Sequence, residues 1–300
     1  MLTNDRKDAM RFAVDTGGTF TDLVLEDDNG ILHIFKAPTT PNDPIEGILN
    51  AVGVAAESLS MTPRTLLGGG DIFIHGTTHA INAVVTGNTA KTAFLTTKGH
   101  PDILVLREGG RIEPFNFLAP FPKPYIPRSL TFEITERIQS DGKVVEALNE
   151  EQVIVTLRRL RKLKVESVAV SLLWSTVNPI HEKRVGRLIK AELPGLPFTL
   201  SHVLNPVLRE YRRASSACID ASLKPIMSNY LKGLVKRLRS SGFTGRLLML
   251  TSQGGVMEAA EMTKAPIHAI GSGPSMAPVA GREYARKDAK SDTAIVADTG

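Results

Sequence analysis

Asp15-Thr16-Gly17-Gly18-Thr19-Phe20-Thr21-Asp22 directly follows the short apolar run Phe12-Ala13-Val14. The run reads as a strand that ends at an acid, turns over two glycines and re-enters a second strand over residues 19–26. Glycines at such a turn let backbone N–H groups approach phosphate oxygens with no Cβ in the way. Thr16, Thr19 and Thr21 add hydroxyl donors, and Asp15 at the strand end can hold a hydrated Mg²⁺ or orient a water. The two commonest phosphate loops run from a strand into a helix, so a turn between antiparallel strands sets both aside. Asp15 is therefore a candidate catalytic acid, and Thr16, Gly17, Gly18, Thr19 and Thr21 are candidate phosphate ligands.

Working outward, Asn29-Gly30 marks a hairpin tip, and residues 31–36 complete a three-stranded meander. A Pro-rich link over 38–44 leads into a helix over 44–58, with Asn42 or Asp43 as its cap. Residues 72–75 read as a strand, 77–85 as a helix and 92–97 as a strand. Beyond them lie a helix over 150–163, a strand over 167–174 and a helix over 179–192. This alternation indicates an α/β domain with a partly parallel sheet. Residues 206–238 are helical in pattern, with Pro225 expected to interrupt them. A strand over 247–250, a helix over 274–284 and a strand over 294–297 close the chain. Residues 107–127 form a long loop with five prolines and four aromatics, and Phe115, Phe117, Phe121 and Tyr125 are expected to be buried. A domain boundary is placed near 195–205.

Composition narrows the function. The 300 residues are 42% hydrophobic and 22% charged, with net charge +5, as in an ordinary soluble protein. The densest basic stretch, Arg158 to Lys164, alternates with leucine as a solvated helix face does, so no nucleic-acid footprint is expected. The single cysteine, Cys218, excludes an intrachain disulfide and fits a buried helix position. There is neither an 18-residue apolar run nor a signal core, so no membrane span is expected and the location is read as cytoplasmic.

The strand–Asp–Thr–Gly pattern recurs at the end of the chain, where Ala294-Ile295-Val296-Ala297 runs into Asp298-Thr299-Gly300. Two copies suggest a duplicated domain with one phosphate turn per half, Asp298 matching Asp15. Between them, Gly271-Ser272-Gly273-Pro274 opens a helix of small residues suited to close packing between domains.

These pieces resemble the actin-like (ribonuclease H-like) ATPase superfamily, and within it the hydantoinase A/5-oxoprolinase family. The resemblance rests on Asp15 to Asp22, Gly76-Thr77-Thr78 with Asn82, Glu136-Arg137, Glu210-Tyr211-Arg212-Arg213, Gln253-Gly254-Gly255 and Ser272-Gly273-Pro274. Two departures are visible. Ser275-Met276-Ala277-Pro278 replaces a Gly-Gly-containing stretch of the connecting helix. The sequence also ends at Gly300, within the second turn, so the second half is expected to be incomplete here. On this reading residues 1–200 form an N-terminal hydantoinase A-type domain and 201–300 the start of a second actin-like domain.

The resemblance implies ATP and Mg²⁺ as cofactors, a small-molecule substrate, and a hetero-oligomer with a B-type hydantoinase or carboxylase subunit. It implies transfer of the γ-phosphoryl group to a carbonyl oxygen, for opening of a cyclic amide or imide. Alternatives are ATP-dependent ketone carboxylation and a non-catalytic nucleotide-binding module. The acetone branch favours Ala after the first Asp, so Thr16 counts against it, whereas an acetophenone-like branch stays open. Further candidate contacts to substrate or phosphate are Gly76, Thr77, Thr78, Arg107, Gln253, Gly254 and Gly255. His75 and His79, four residues apart, form a candidate metal pair.

Overall fold

The computed structural model describes residues 9–40, 43–109, 113 and 115–297. They form two compact units, one of residues 1–86 and 227–300, the other of residues 87–226.

The first unit is built on a six-stranded sheet. Its strands are β1 (Met10–Thr16), β2 (Phe20–Glu26), β3 (Leu32–Pro38) and β4 (Gly70–Thr77), followed late in the chain by β11 (Arg246–Leu250) and β12 (Val256–Glu258). Their order is β12-β11-β4-β1-β2-β3. β1, β4 and β11 are parallel, and the β1–β2–β3 meander is antiparallel. Strand alternation puts Phe12, Val14 and Thr16 on the buried face and leaves Arg11, Ala13 and Asp15 on the other. Phe12, Phe73 and Phe243 meet in the core, with centroids 5.7–6.4 Å apart. The meander's second turn is held by Asp27, whose Oδ1 accepts from the amides of Asn29 and Ile31, each at 2.9 Å, while Gly30 takes φ +78°. Helices α1 (Pro44–Ser58), α2 (Pro63–Gly68) and α3 (His79–Thr86) belong to this unit. Asp43 caps α1.

The second unit carries a fully parallel sheet, β10-β9-β5-β6, from β5 (Thr92–Thr97), β6 (Thr131–Ile134), β9 (Ser167–Ser171) and β10 (Phe198–Leu200). β9 is buried along its whole length, as parallel strands covered on both faces are. A ribbon of β7 (Arg137–Ile138) and β8 (Val144–Glu146) flanks it. Helices α4 (Ile103–Leu106), α5 (Glu150–Lys162), α6 (Ile180–Glu192) and α7 (Ser201–Leu204) complete the connections. α5 is capped by Asn149 on the Gln152 amide at 2.9 Å, with acids in its first turn and Arg159, Arg161 and Lys162 in its last.

The long helix α8 (Glu210–Ser240) runs from the second unit into the first, and α9 (Ala259–Met262) and α10 (Ser272–Ala289) follow β12. The boundary expected near 195–205 does not coincide with the division into units, because α8 and β11 return the chain to the first sheet. Pro225 does not break α8, contrary to expectation. The apolar face continues on both sides of it, through Ala217, Cys218 and Ala221 before and Met227, Leu231 and Leu234 after, and packing outweighs the lost hydrogen bond.

Two further expectations fail. Phe115 and Phe117 are 91% and 79% exposed and Phe121 is largely exposed, so the aromatic loop does not enter a core. Tyr125 of the same loop is anchored, its hydroxyl 2.7 Å from Ser222 Oγ. Residues 294–297 form no strand and pair with nothing in either sheet. Asp298, Thr299 and Gly300 lie outside the described residues. Among the described residues, no helix is long and apolar enough to cross a membrane.

Candidate functional site

The carboxyl ends of β1, β4 and β11 bring three stretches to one edge of the first sheet: Asp15–Thr19, Gly76–Thr78 and Gln253–Gly255. Ligands of open α/β sheets bind at this edge.

The Gly17–Thr19 turn is narrow. The Gly17 amide donates to the Phe20 carbonyl at 3.0 Å, and a Cβ on Gly17 would lie 3.1 Å from that oxygen. Gly17 therefore shapes the turn, and the amides of Gly18 and Thr19 have no hydrogen-bond acceptor among the described residues. A Cβ on Gly18 would meet nothing within 4 Å, so the backbone there faces open space of the kind a phosphate fills. Thr39 braces the turn from behind. Its hydroxyl donates to the Gly17 carbonyl at 3.0 Å and its amide to the Thr19 carbonyl at 2.9 Å. Sequence reading missed Thr39, which sits inside the Pro-rich link.

Asp15 stands opposite Asp22 in the ladder and beside Gly76 in the parallel register. A Cβ on Gly76 would come within 3.0 Å of both Asp15 Oδ1 and Leu250 Cδ1, so only glycine leaves room for this carboxylate. Burial, and then the charge of Asp22, push the Asp15 carboxyl above its ordinary range. Asp22 is itself paired to Lys36 at 3.1 Å. Two carboxylates facing each other at a strand end fit a hydrated divalent cation, whose charge would relieve the repulsion.

Thr16 and Thr21 do not share the Asp15 face. They pair across the ladder on the buried side, where Thr21 Oγ1 contacts Thr39 Oγ1 at 3.0 Å and Thr16 Oγ1 is buried without a partner. The strand's period of two puts their hydroxyls behind the turn, so of the three threonines only Thr19 is exposed at it.

Thr77 and Thr78 organise the start of α3. Thr77 Oγ1 accepts from the His79 amide and Thr78 Oγ1 from Asn82 Nδ2, each at 3.1 Å. His75 is fully buried, with Nε2 2.7 Å from the Tyr230 hydroxyl and Nδ1 3.3 Å from the Val14 carbonyl. His79 stacks on Tyr230 at 4.7 Å. With both ring nitrogens of His75 engaged, the two histidines do not make a metal pair. Burial lowers His75 to a pKa of about 4, so it is neutral. Gln253, Gly254 and Gly255 form the tight β11–β12 turn, closed by Thr251 N–H to the Gly255 carbonyl at 2.9 Å, with Gly254 at φ +74°.

Arg107 belongs to the second unit. So does a buried ionic network that includes Arg213, Glu182 and Glu136. Arg213 is 1% exposed and donates to the Leu172 carbonyl at 2.9 Å, and only its neighbour Arg212 reaches the surface, paired to Glu108 at 2.6 Å. Glu182 accepts from the Leu172 amide at 2.8 Å, Ser201 Oγ at 2.6 Å and His202 Nδ1 at 2.6 Å. Glu136 accepts from Thr97 and from His181 Nδ1 at 2.7 Å.

Comparison with known proteins agrees with this architecture. The family model for the hydantoinase/oxoprolinase N-terminal region matches residues 11–193, and that for hydantoinase/oxoprolinase matches residues 213–300. Caprolactamase subunit alpha of Pseudomonas jessenii is 35% identical over 92% of this chain and 40% of its own length. The acetophenone carboxylase gamma subunit of Aromatoleum aromaticum is 35% identical over 96% of this chain and 40% of its own. The crystal structure of ATP-dependent caprolactamase from P. jessenii superposes with a TM-score of 0.85 at 34% identity, covering 92% of this chain and 40% of that one. The chain thus spans about two fifths of the length of these relatives. Its fold is α/β of the actin-like ATPase class. By both family models and by these relatives, the chain belongs to the hydantoinase/oxoprolinase family.

Proposed function

We propose that this chain supplies the first phosphate-binding turn of an enzyme that uses ATP to activate a carbonyl by phosphorylation, for hydrolytic opening of a cyclic amide. The observation that carries the reading is the Gly17–Thr19 turn, with two amides free and open space over Gly18, beside the opposed carboxylates of Asp15 and Asp22. The Gly18 and Thr19 amides and the Thr19 hydroxyl would hold phosphate oxygens, and Asp15 would hold the water shell of Mg²⁺. When bound, Mg²⁺ neutralises charge that builds up as the γ-phosphoryl group moves. Phosphoryl transfer is chiefly positioning and charge neutralisation, which matches a site of backbone donors and carboxylates without a nucleophile.

Asp298, Thr299 and Gly300 repeat the motif and are proposed to give the matching turn of a second domain. A cyclic amide is favoured as substrate because a relative of 35% identity is named a caprolactamase. A carboxylase reading is supported by the equally similar acetophenone carboxylase gamma subunit. Both names denote subunits, which supports a hetero-oligomer; a B-type subunit is the proposed partner and the cytoplasm, where ATP is abundant, the proposed setting.

The test is phosphate release from ATP by the protein with and without a B-type subunit, across lactams, hydantoins, 5-oxoproline and aryl ketones. Release stimulated by a cyclic amide without bicarbonate supports the hydrolase. Release that needs a ketone and consumes bicarbonate replaces it with the carboxylase. No stimulation by any carbonyl compound overturns both.

A further inference from the structure

The second unit holds a cavity of about 760 Å³ that the phosphate turn does not use. It lies beyond the carboxyl ends of β5 and β9, bounded by Gly99–Pro101 after β5, Leu173 and Trp174 after β9, and the first turn of α8. That is again the edge at which parallel α/β sheets bind ligands, and the volume is in the range of small-molecule sites.

The lining is strained. Arg107, Trp174 and Arg209 have φ of +58°, +55° and +73°, half of the six non-glycine residues with positive φ among those described. Each such residue costs about 1 kcal/mol or more, and this kind of strain gathers at functional sites. The wall is also pinned from behind by buried charge. Glu182 takes the Leu172 amide at 2.8 Å, Thr97 Oγ1 takes the Leu173 amide at 2.9 Å, and Arg213 holds the Leu172 carbonyl at 2.9 Å. Fixed backbone of this kind is what a preorganised site needs.

Charge and shape define the ligand. The lining acids Asp102 and Glu108 are matched by Arg128 at 3.4 Å and Arg212 at 2.6 Å, neither of which lines the cavity. Arg209 also reaches Glu108, at 3.9 Å, and Glu210 is the third acid of the lining. Arg107 and Arg137 have no side-chain partner among the described residues and both line the cavity. Ile103, Leu106, Leu173 and Trp174 supply the apolar part of the lining. We propose that this cavity binds a small organic carboxylate with an apolar body, its carboxylate held by the guanidinium groups of Arg107 and Arg137 and its body against Leu106 and Trp174. A guanidinium fork matches a carboxylate in two parallel hydrogen bonds, and an apolar wall favours a carbon skeleton over an inorganic anion.

The inference does not depend on the nucleotide reading, since binding is measured without ATP. Isothermal titration calorimetry of the chain with hexanoate, hexanamide and inorganic phosphate tests it. Hexanoate should bind saturably and more tightly than either of the others. R137Q and R107Q should each weaken it roughly tenfold or more, as loss of a charge-assisted pair does. R246Q, in the other unit, should leave it unchanged. Circular dichroism checks folding, and R107Q, at an exposed position, keeps the test available if R137Q does not fold. Equal binding of hexanamide, phosphate binding as tight as hexanoate, or no effect of either substitution would overturn the proposal.

Discussion

Replacing Asp15 by Asn should stabilise the ligand-free protein and abolish its stabilisation by nucleotide. Asp15 and Asp22 are directly opposed in the ladder, which sets their Cβ atoms about 5 Å apart. At that separation, with the near-aqueous dielectric of a partly exposed pair, the repulsion is about 0.5–1 kcal/mol, reduced somewhat by Lys36 at 3.1 Å from Asp22. Asparagine keeps the shape and removes the charge, so the melting temperature should rise by about 1–3 °C. The pH dependence has a definite sign. The folded Asp15 carboxyl has a raised pKa, so the folded state binds the proton more tightly than the unfolded chain does. Wild type therefore gains stability as pH falls through the raised pKa, and the advantage of the variant shrinks to nothing at acid pH. MgATP should raise the melting temperature of wild type and leave Asp15→Asn unmoved. Differential scanning calorimetry of both proteins at neutral and acid pH, with and without MgATP, measures all of this. An Asp15→Asn protein that melts below wild type without nucleotide, or gains equally from MgATP, would refute the reasoning.

Three other substitutions separate fold from function. Gly18→Ala adds a Cβ in open space at a negative φ, so unfolding free energy should change by less than about 1 kcal/mol, while calorimetry should show nucleotide binding strongly weakened. His75 has a pKa of about 4 when folded, below its unfolded value, so its contribution is intact above the unfolded pKa and is lost as pH falls from there toward 4. The loss should reach roughly 3 kcal/mol in wild type and be absent in His75→Gln, as urea unfolding at neutral pH and near pH 4 would show. Glu182→Gln removes one of the two carboxylate charges that act on buried Arg213 and weakens the acceptor of the Leu172 amide, Ser201 and His202, and should cost about 2–4 kcal/mol by the same assay.

The phosphate turn was legible because two glycines interrupt a strict period-2 pattern between acids, and few local structures need that combination. The same period places Thr21 on the face away from Asp15, so its role as a phosphate ligand was over-read from proximity in sequence. The boundary read near 195–205 falls between the two family-model matches, 11–193 and 213–300, but the division into compact units was not legible. The first sheet is completed by β11, some 170 residues after β4, and nothing local in residues 87–226 marks them as an insertion between two halves of one sheet. Pro225 misled for a related reason: its local penalty is smaller than the burial on either side of it. The aromatic loop misled in the opposite direction, since hydrophobic side chains such as Phe115 are not obliged to be buried. The cavity around Arg137 and Trp174 draws its residues from four separate loops and helix ends, so no motif could announce it.

ATP phosphates are proposed to sit on the amides of Gly18 and Thr19. Amide chemical shifts of the ¹⁵N-labelled protein, followed as MgATP is added, test it most directly. The largest shifts are expected at Gly18 and Thr19, smaller ones at Asp15 and Gly76, and none of them in Asp15→Asn. MgATP binding with Gly18 and Thr19 unmoved would contradict it.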